Sequence, residues 1–189
     1  MTVKQAAGMP SRGDKLLPRN HKPVVLVGLM GVGKTTVGRR LAARLGCRFA
    51  DSDAAIEEAA RLSVSEIFEA FGEAYFRDGE RRVISRLLDD GVGVLATGGG
   101  AFCQRETRDL ILTKATAVWL DCEIDTLVER TGRRDTRPLL LGRDRREILA
   151  RLAEERRPFY AQAPIHVRAG DGPHSRTVGA IVEALEQCR

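Results

Sequence analysis

A three-layer α/β fold, with a five-stranded parallel sheet flanked by helices and carrying a mobile lid, is predicted for this chain by three observations. Short apolar, β-branched runs alternate with helical segments along most of its length, the order that builds a parallel sheet covered on both faces. The first run passes directly into a glycine loop and then a helix within about 23 residues. Near residues 132–143 the alternation gives way to an arginine- and glycine-rich stretch with little periodicity, which reads as a lid-like insertion.

Pro23-Val24-Val25-Leu26-Val27 is the unbroken apolar run of a buried parallel strand. Thr35 to Leu45 reads as a helix that Gly46 stops. Arg48-Phe49-Ala50 is a short strand that leads into Asp51-Ser52-Asp53, and residues 54–61 read as helix. Ser63-Val64-Ser65-Glu66 is a capping box opening a further short helix, with a longer one over 73–89. Strands follow at 92–96, 117–120 and 165–167, and helices at 105–114, 123–131, 144–157 and 176–187. This is one domain over 23–189, preceded by a flexible leader over 1–22 with Gly8, Pro10, Gly13 and Pro18.

The formal charge of +5 invites a nucleic-acid reading, but its distribution argues otherwise. Lys4, Arg12, Lys15, Arg19 and Lys22 against Asp14 put +4 on the leader, which leaves the body at +1. A basic face on the folded body is the expected nucleic-acid footprint, and it is missing. No apolar run approaches the roughly 18 residues that cross a bilayer, and no apolar signal core opens the chain. Cys47, Cys103, Cys122 and Cys188 are scattered, as are His21, His166 and His174, so neither a zinc pattern nor a disulfide framework emerges. Scattered thiols fit the cytoplasm.

Gly28-Leu29-Met30-Gly31-Val32-Gly33-Lys34-Thr35 has GxxxxGK[ST] at every fixed position, which makes the predicted architecture a P-loop NTPase fold. Glycines let the backbone wrap phosphate and turn N–H groups inward, and the helix that follows adds its positive end. Lys34 supplies a point charge near the β- and γ-phosphates, and the Thr35 hydroxyl is a ligand for Mg²⁺. The loop establishes nucleotide binding without distinguishing kinases from other NTPases. The Asn-Lys-x-Asp segment that reads guanine is absent.

Three other segments bear on the acceptor. Asp51-Ser52-Asp53 stands where the second strand ends, the side of an open sheet on which ligands bind. If the backbone stays extended, both carboxylates point one way, one toward metal and one toward a substrate hydroxyl. By position alone the pair fits an acidic turn or a helix N-cap equally well. Thr97-Gly98-Gly99-Gly100 ends the third strand, where three glycines suit close approach to a ligand. Arg77, Arg137 and Arg156 lie in Phe76-Arg77-Asp78-Gly79-Glu80, Thr136-Arg137-Pro138-Leu139-Leu140 and Glu155-Arg156-Arg157-Pro158-Phe159-Tyr160.

Taken together, GLMGVGKTT (28–36), DSD (51–53), FRDGE (76–80), ATGGGA (96–101), TRPLL (136–140) and ERRPFY (155–160) resemble the shikimate kinase family over about residues 22–187. The resemblance implies a nucleoside-monophosphate-kinase-like fold. It implies transfer of the γ-phosphate of ATP to the 3-hydroxyl of shikimate, the step that gives shikimate 3-phosphate for chorismate and aromatic amino acid synthesis. It also implies a monomer in the cytoplasm with small-molecule partners only, neither nucleic acid nor membrane. Arg77 and Arg156 then hold the shikimate carboxylate, and Gly98, Gly99 and Gly100 approach the ring. Asp53 takes the proton of the attacking hydroxyl, and Glu80 orients Arg77. Val64, Phe68 and Phe76 form an apolar wall. On the nucleotide side Gly31, Val32, Gly33, Lys34, Thr35 and Thr36 cradle the phosphates, Thr35 and Asp51 serve Mg²⁺, and Arg137 swings in with the lid. Adenine rests near Arg130 and the segment around Pro173 to Arg176, where the match to the family pattern is loose.

Other readings are another small-metabolite kinase of this fold, such as a gluconate kinase, a nucleotide-binding regulator without catalysis, or a nucleic-acid binder using the basic leader. ATGGGA and TRPLL argue against the first. Lys34, Asp53 and Arg137 argue against the others.

Overall fold

The structure is a computed structural model and describes residues 22–132, 144–170 and 172–188. The leader expected over 1–22 lies outside these residues apart from Lys22, and the lid expected over 132–143 apart from Gly132. Five strands, β1 (Val24–Val27), β2 (Phe49–Asp51), β3 (Val94–Ala96), β4 (Thr116–Asp121) and β5 (Ile165–Arg168), pair in parallel in the order β2-β3-β1-β4-β5. The helices are α1 (Lys34–Leu45), α2 (Ser52–Ala60), α3 (Val64–Asp89), α4 (Arg105–Lys114), α5 (Ile124–Gly132), α6 (Arg145–Tyr160) and α7 (His174–Gln187), with a 3₁₀ turn at Ala101–Cys103. The predicted α/β architecture with a five-stranded parallel sheet is the one observed.

Strand β1 is central. Val25 sits between Leu95 of β3 and Ala117 of β4, and all four of its side chains are buried. A parallel strand covered on both faces has no solvent side, hence the unbroken apolar run. At the edge, β5 alternates instead: Ile165 and Val167 are buried while His166 and Arg168 face out, as a guarded edge strand should. A smaller apolar cluster, Ile56, Ile67 and Phe76, forms apart from the main core beneath α2 and α3.

Two expected helices, one opened by the Ser63 capping box and one from residue 73, run together as α3 with a break between them. Gly72 has φ 80° and ψ 171°, outside helical geometry. The capping box is complete: Ser63 Oγ accepts from the Glu66 amide, and Glu66 Oε2 accepts from the Ser63 amide. Helix α6 does not stop before Pro158 but continues to Tyr160. A proline there forfeits one hydrogen bond, and the burial of Tyr160 in the core offsets that loss.

The carboxyl ends of β2, β3 and β1 lie side by side, so Asp51, Thr97 and the loop after Val27 meet at one rim. In open parallel sheets this rim is where ligands bind.

Candidate active site

A cleft of about 930 Å³ opens at that rim, between the glycine loop, α2, the first half of α3 and the segment after β3. Its volume suits small ligands.

At one end stands the phosphate loop. Gly33 caps α1 with φ 98°, a left-handed conformation that strains any other residue. It opens the N-terminus of a twelve-residue helix toward the cleft. Lys34, nearly buried, folds back so that Nζ donates to the carbonyls of Gly28 (2.7 Å) and Leu29 (2.8 Å). Gly31, Thr35 and Thr36 also line the cleft. The Val32 side chain lies in the core, so only its backbone is on the loop.

Thr35 Oγ1 donates to Asp51 Oδ2 at 2.7 Å. The other oxygen of Asp51 accepts from the amides of Asp53 (3.1 Å) and Ala54 (3.5 Å), which makes Asp51 the N-cap of α2. This corrects the expectation of extended backbone through 51–53: the chain turns into helix at Ser52. Both carboxylates reach the cleft all the same, through a helical turn and not through strand alternation. Asp51 is the N-cap of α2 and also lines the cleft.

Arg130 lines the same end, donating to the carbonyls of Val32 (3.4 Å) and Gly170 (3.0 Å). Arg176 does not line the cleft but lies against Gly172; His174, the first residue of α7, takes that place beside Gly33. Burial, then the nearby Arg130 and Arg40 cations, lowers the pKa of His174. Arg137 lies outside the described residues.

The other end is built around Gly98–Gly100. None of the three has a positive φ; what demands glycine is space. A Cβ on Gly98 would stand 2.7 Å from Asp53 Oδ1 and 2.9 Å from Glu80 Oε1. On Gly99 it would stand 3.3 Å from an Arg156 nitrogen, and on Gly100 2.6 Å from Arg77 Nη2. Two carboxylates and two guanidinium groups occupy the volume that side chains would fill. Ser52 Oγ accepts from the Gly98 amide at 3.2 Å and fixes the start of the segment to α2.

Arg77 is held from two sides. Nη1 donates to Glu80 Oε2 (2.8 Å), and Nε and Nη2 donate to Glu73 Oε1 (3.2 and 3.1 Å). Its guanidinium also lies over the rings of Phe76 (5.3 Å) and Phe68 (5.8 Å). Those two rings and Val64 line the cleft, where the apolar wall was expected. Burial alone would lower the pKa of Arg77, but Glu80 and Glu73 outweigh it and the net shift is upward. Glu80 is fully buried with one oxygen unpartnered among the described residues, so desolvation overcomes Arg77 and raises its pKa.

Sequence reasoning missed the Ser52 contact, and it named Thr97 and the segment holding His174 without giving either residue a role of its own. Ser52 lay in plain sight between two aspartates, but only the helical turn shows its side chain reaching back to Gly98. His174 carried no signal beyond its place before the last helix.

Thr35 Oγ1 and Asp51 Oδ2 are hard oxygen donors side by side at the mouth of the loop. Among the described residues no group of three or more His, Cys, Asp and Glu forms a metal cage. One or two protein oxygens completed by phosphate and water is the way Mg²⁺ binds at nucleotide sites, so the pair fits it.

The family model described as shikimate kinase matches residues 30–186. A shikimate kinase of Novosphingobium aromaticivorans is 57% identical over 178 residues, covering 92% of each chain. That of Rhodopseudomonas palustris is 52% identical over 186 residues, covering 97% of this chain and 92% of its own. Among solved structures, shikimate kinase from Acinetobacter baumannii in complex with shikimate superposes with a TM-score of 0.85 at 34% identity, covering 90% of this chain and 96% of its own. A gluconokinase from Sinorhizobium meliloti superposes at 0.61 with 18% identity, covering 90% of this chain and 95% of its own, which shows a shared fold alone. The chain belongs to the shikimate kinase family.

Proposed function

We infer that the cleft transfers the γ-phosphate of ATP to the 3-hydroxyl of shikimate, giving ADP and shikimate 3-phosphate. The observation that carries this reading is the packing of Asp53, Arg156 and Arg77 against three successive glycines, in the same cleft as the phosphate loop. Positions 98 to 100 span at most about 7 Å of chain, a reach that suits a six-membered ring with a carboxylate on one side and a hydroxyl on the other.

Arg77 and Arg156 hold the carboxylate of shikimate, the planar fork of each matching its two oxygens. Asp53 accepts the proton of the attacking hydroxyl, and Glu80 keeps Arg77 in place. Gly31–Thr36 cradle the phosphates, and Lys34 exchanges its loop carbonyls for phosphate oxygens. Thr35 and Asp51 would hold Mg²⁺, which when bound offsets negative charge on the phosphates. Arg130 and His174 border the adenosine side. Arg137 meets charge on the transferred group, as the family pattern implies. Transfer of this kind depends chiefly on positioning and electrostatics. The four cysteines are free thiols, as in a reducing cytoplasm. No helix among the described residues is long and apolar enough to cross a membrane.

The test is ADP release from Mg²⁺-ATP with and without shikimate, beside Asp53→Asn. Shikimate-dependent ADP that falls by about 10²-fold or more in the variant supports the acceptor and the carboxylate together. Turnover indifferent to shikimate, or greater with gluconate, overturns the acceptor.

A further inference from the structure

Tyr160 ends α6, one helical turn beyond Arg156, and is 2% exposed. Its hydroxyl donates to the carbonyl of Gly99. The Arg156 guanidinium and the Cys103 thiol lie beside that hydroxyl, and a Cβ on Gly99 would stand 3.3 Å from an Arg156 nitrogen. Its ring packs 6.0 Å from that of Trp119 on β4, which sets the height of the hydroxyl above the sheet. Burial raises its pKa far above the ordinary phenol value, so the group stays neutral and can donate and accept at once.

The segment from Gly98 to Cys103 is tied down at three points. Ser52 of α2 accepts from the Gly98 amide, and Arg108 of α4 donates to the carbonyls of Phe102 (3.1 Å) and Cys103 (3.2 Å). Tyr160 is the third tie. Of the three it alone meets the glycine backbone at the point that one of the two facing arginines also approaches, Gly99. Without that oxygen, the Arg156 fork and the Gly99 peptide no longer share a reference point.

We propose that Tyr160 is a positioning residue for the acceptor: by holding the Gly99 carbonyl beside Arg156, it sets the guanidinium where the substrate carboxylate needs it, without touching substrate. This rests on the reading of Arg156 as a carboxylate-binding residue.

Tyr160→Phe keeps the ring against Trp119 and removes only the oxygen. The KM for shikimate is expected to rise about tenfold or more, the effect of releasing a charged group from its polar neighbour. The KM for ATP stays within about twofold and kcat within about threefold. KM is independent of the folded fraction, so partial unfolding appears in kcat alone. In an Arg156→Lys background, where the fork is already gone, Tyr160→Phe should raise the shikimate KM by only about twofold.

The proposal is overturned if Tyr160→Phe leaves the shikimate KM unchanged. It is overturned equally if the two KM values rise together, as general loosening would produce, or if the effect is undiminished in the Arg156→Lys background. Wild-type enzyme that ignores shikimate overturns the acceptor assignment, and this proposal with it. Normal wild-type turnover beside an unaffected Tyr160→Phe overturns this proposal alone.

Discussion

Arg77 donates from Nη1 to Glu80 Oε2 across 2.8 Å, and the accepting carboxylate is completely buried with its other oxygen unpartnered among the described residues. Desolvation raises the pKa of Glu80 above the ordinary 4.5, so the folded state holds its proton more tightly than the unfolded chain does. The corresponding stability is fully present below pH 4.5 and is lost as pH rises through the folded value. Glu80→Gln lacks this dependence. Urea denaturation of both proteins across that interval should show the wild type losing stability relative to the variant as pH rises. Near neutral pH the variant's shikimate KM should rise several-fold, because Arg77 has lost a charged partner.

Gly100→Ala places a methyl group 2.6 Å from Arg77 Nη2, and Gly98→Ala places one 2.7 Å from Asp53 Oδ1. Each obstructed atom is the end of a side chain, so the side chain moves and the fold survives. The shikimate KM should rise by about tenfold or more for Gly100→Ala. For Gly98→Ala the loss should appear in kcat, by about 10²-fold. Thermal melts of both should stay near that of the wild type.

Asp51 serves both α2 and the Thr35 hydroxyl, and one substitution separates these roles. Asparagine caps helices as well as aspartate does, but it lacks the charge a hard cation needs. Asp51→Asn should therefore melt like the wild type while needing several-fold more Mg²⁺ for half-maximal turnover. A Mg²⁺ titration at fixed ATP checks this.

The phosphate loop and the strands around it were legible because local chemistry and global fold demand the same residues there: β1 reads as buried, and Gly33 reads as a turn. The arginine sites were legible only through the family pattern, since one arginine on a helix looks like any other. Asp51 and Asp53 were found by a spacing argument that assumed strand geometry. They reach the cleft because a helix starts two residues earlier than that argument allowed. The Tyr160 contact was beyond the sequence for another reason. It depends on α6 running through Pro158, where local preference would stop a helix and the tertiary packing of one tyrosine prevails.

His174 gives a second pH test. Its pKa is lowered from 6.5, first by burial and then by Arg130 and Arg40, so the folded state resists its protonation. The stability tied to the neutral imidazole is present above pH 6.5 and is lost as pH falls through the folded value. Melting temperatures of the wild type and His174→Gln should therefore diverge on acidification, with the wild type falling faster.

The three glycines at 98–100 are filled, in effect, by side chains borrowed from elsewhere: Asp53 from α2, Glu80 and Arg77 from α3, Arg156 from α6. A larger residue at any of them displaces a charged group from a distant part of the chain, so it gains bulk at the expense of acceptor binding. Fitting the cleft to a different acceptor therefore takes paired changes, one at a glycine and one at the charged residue that fills its space.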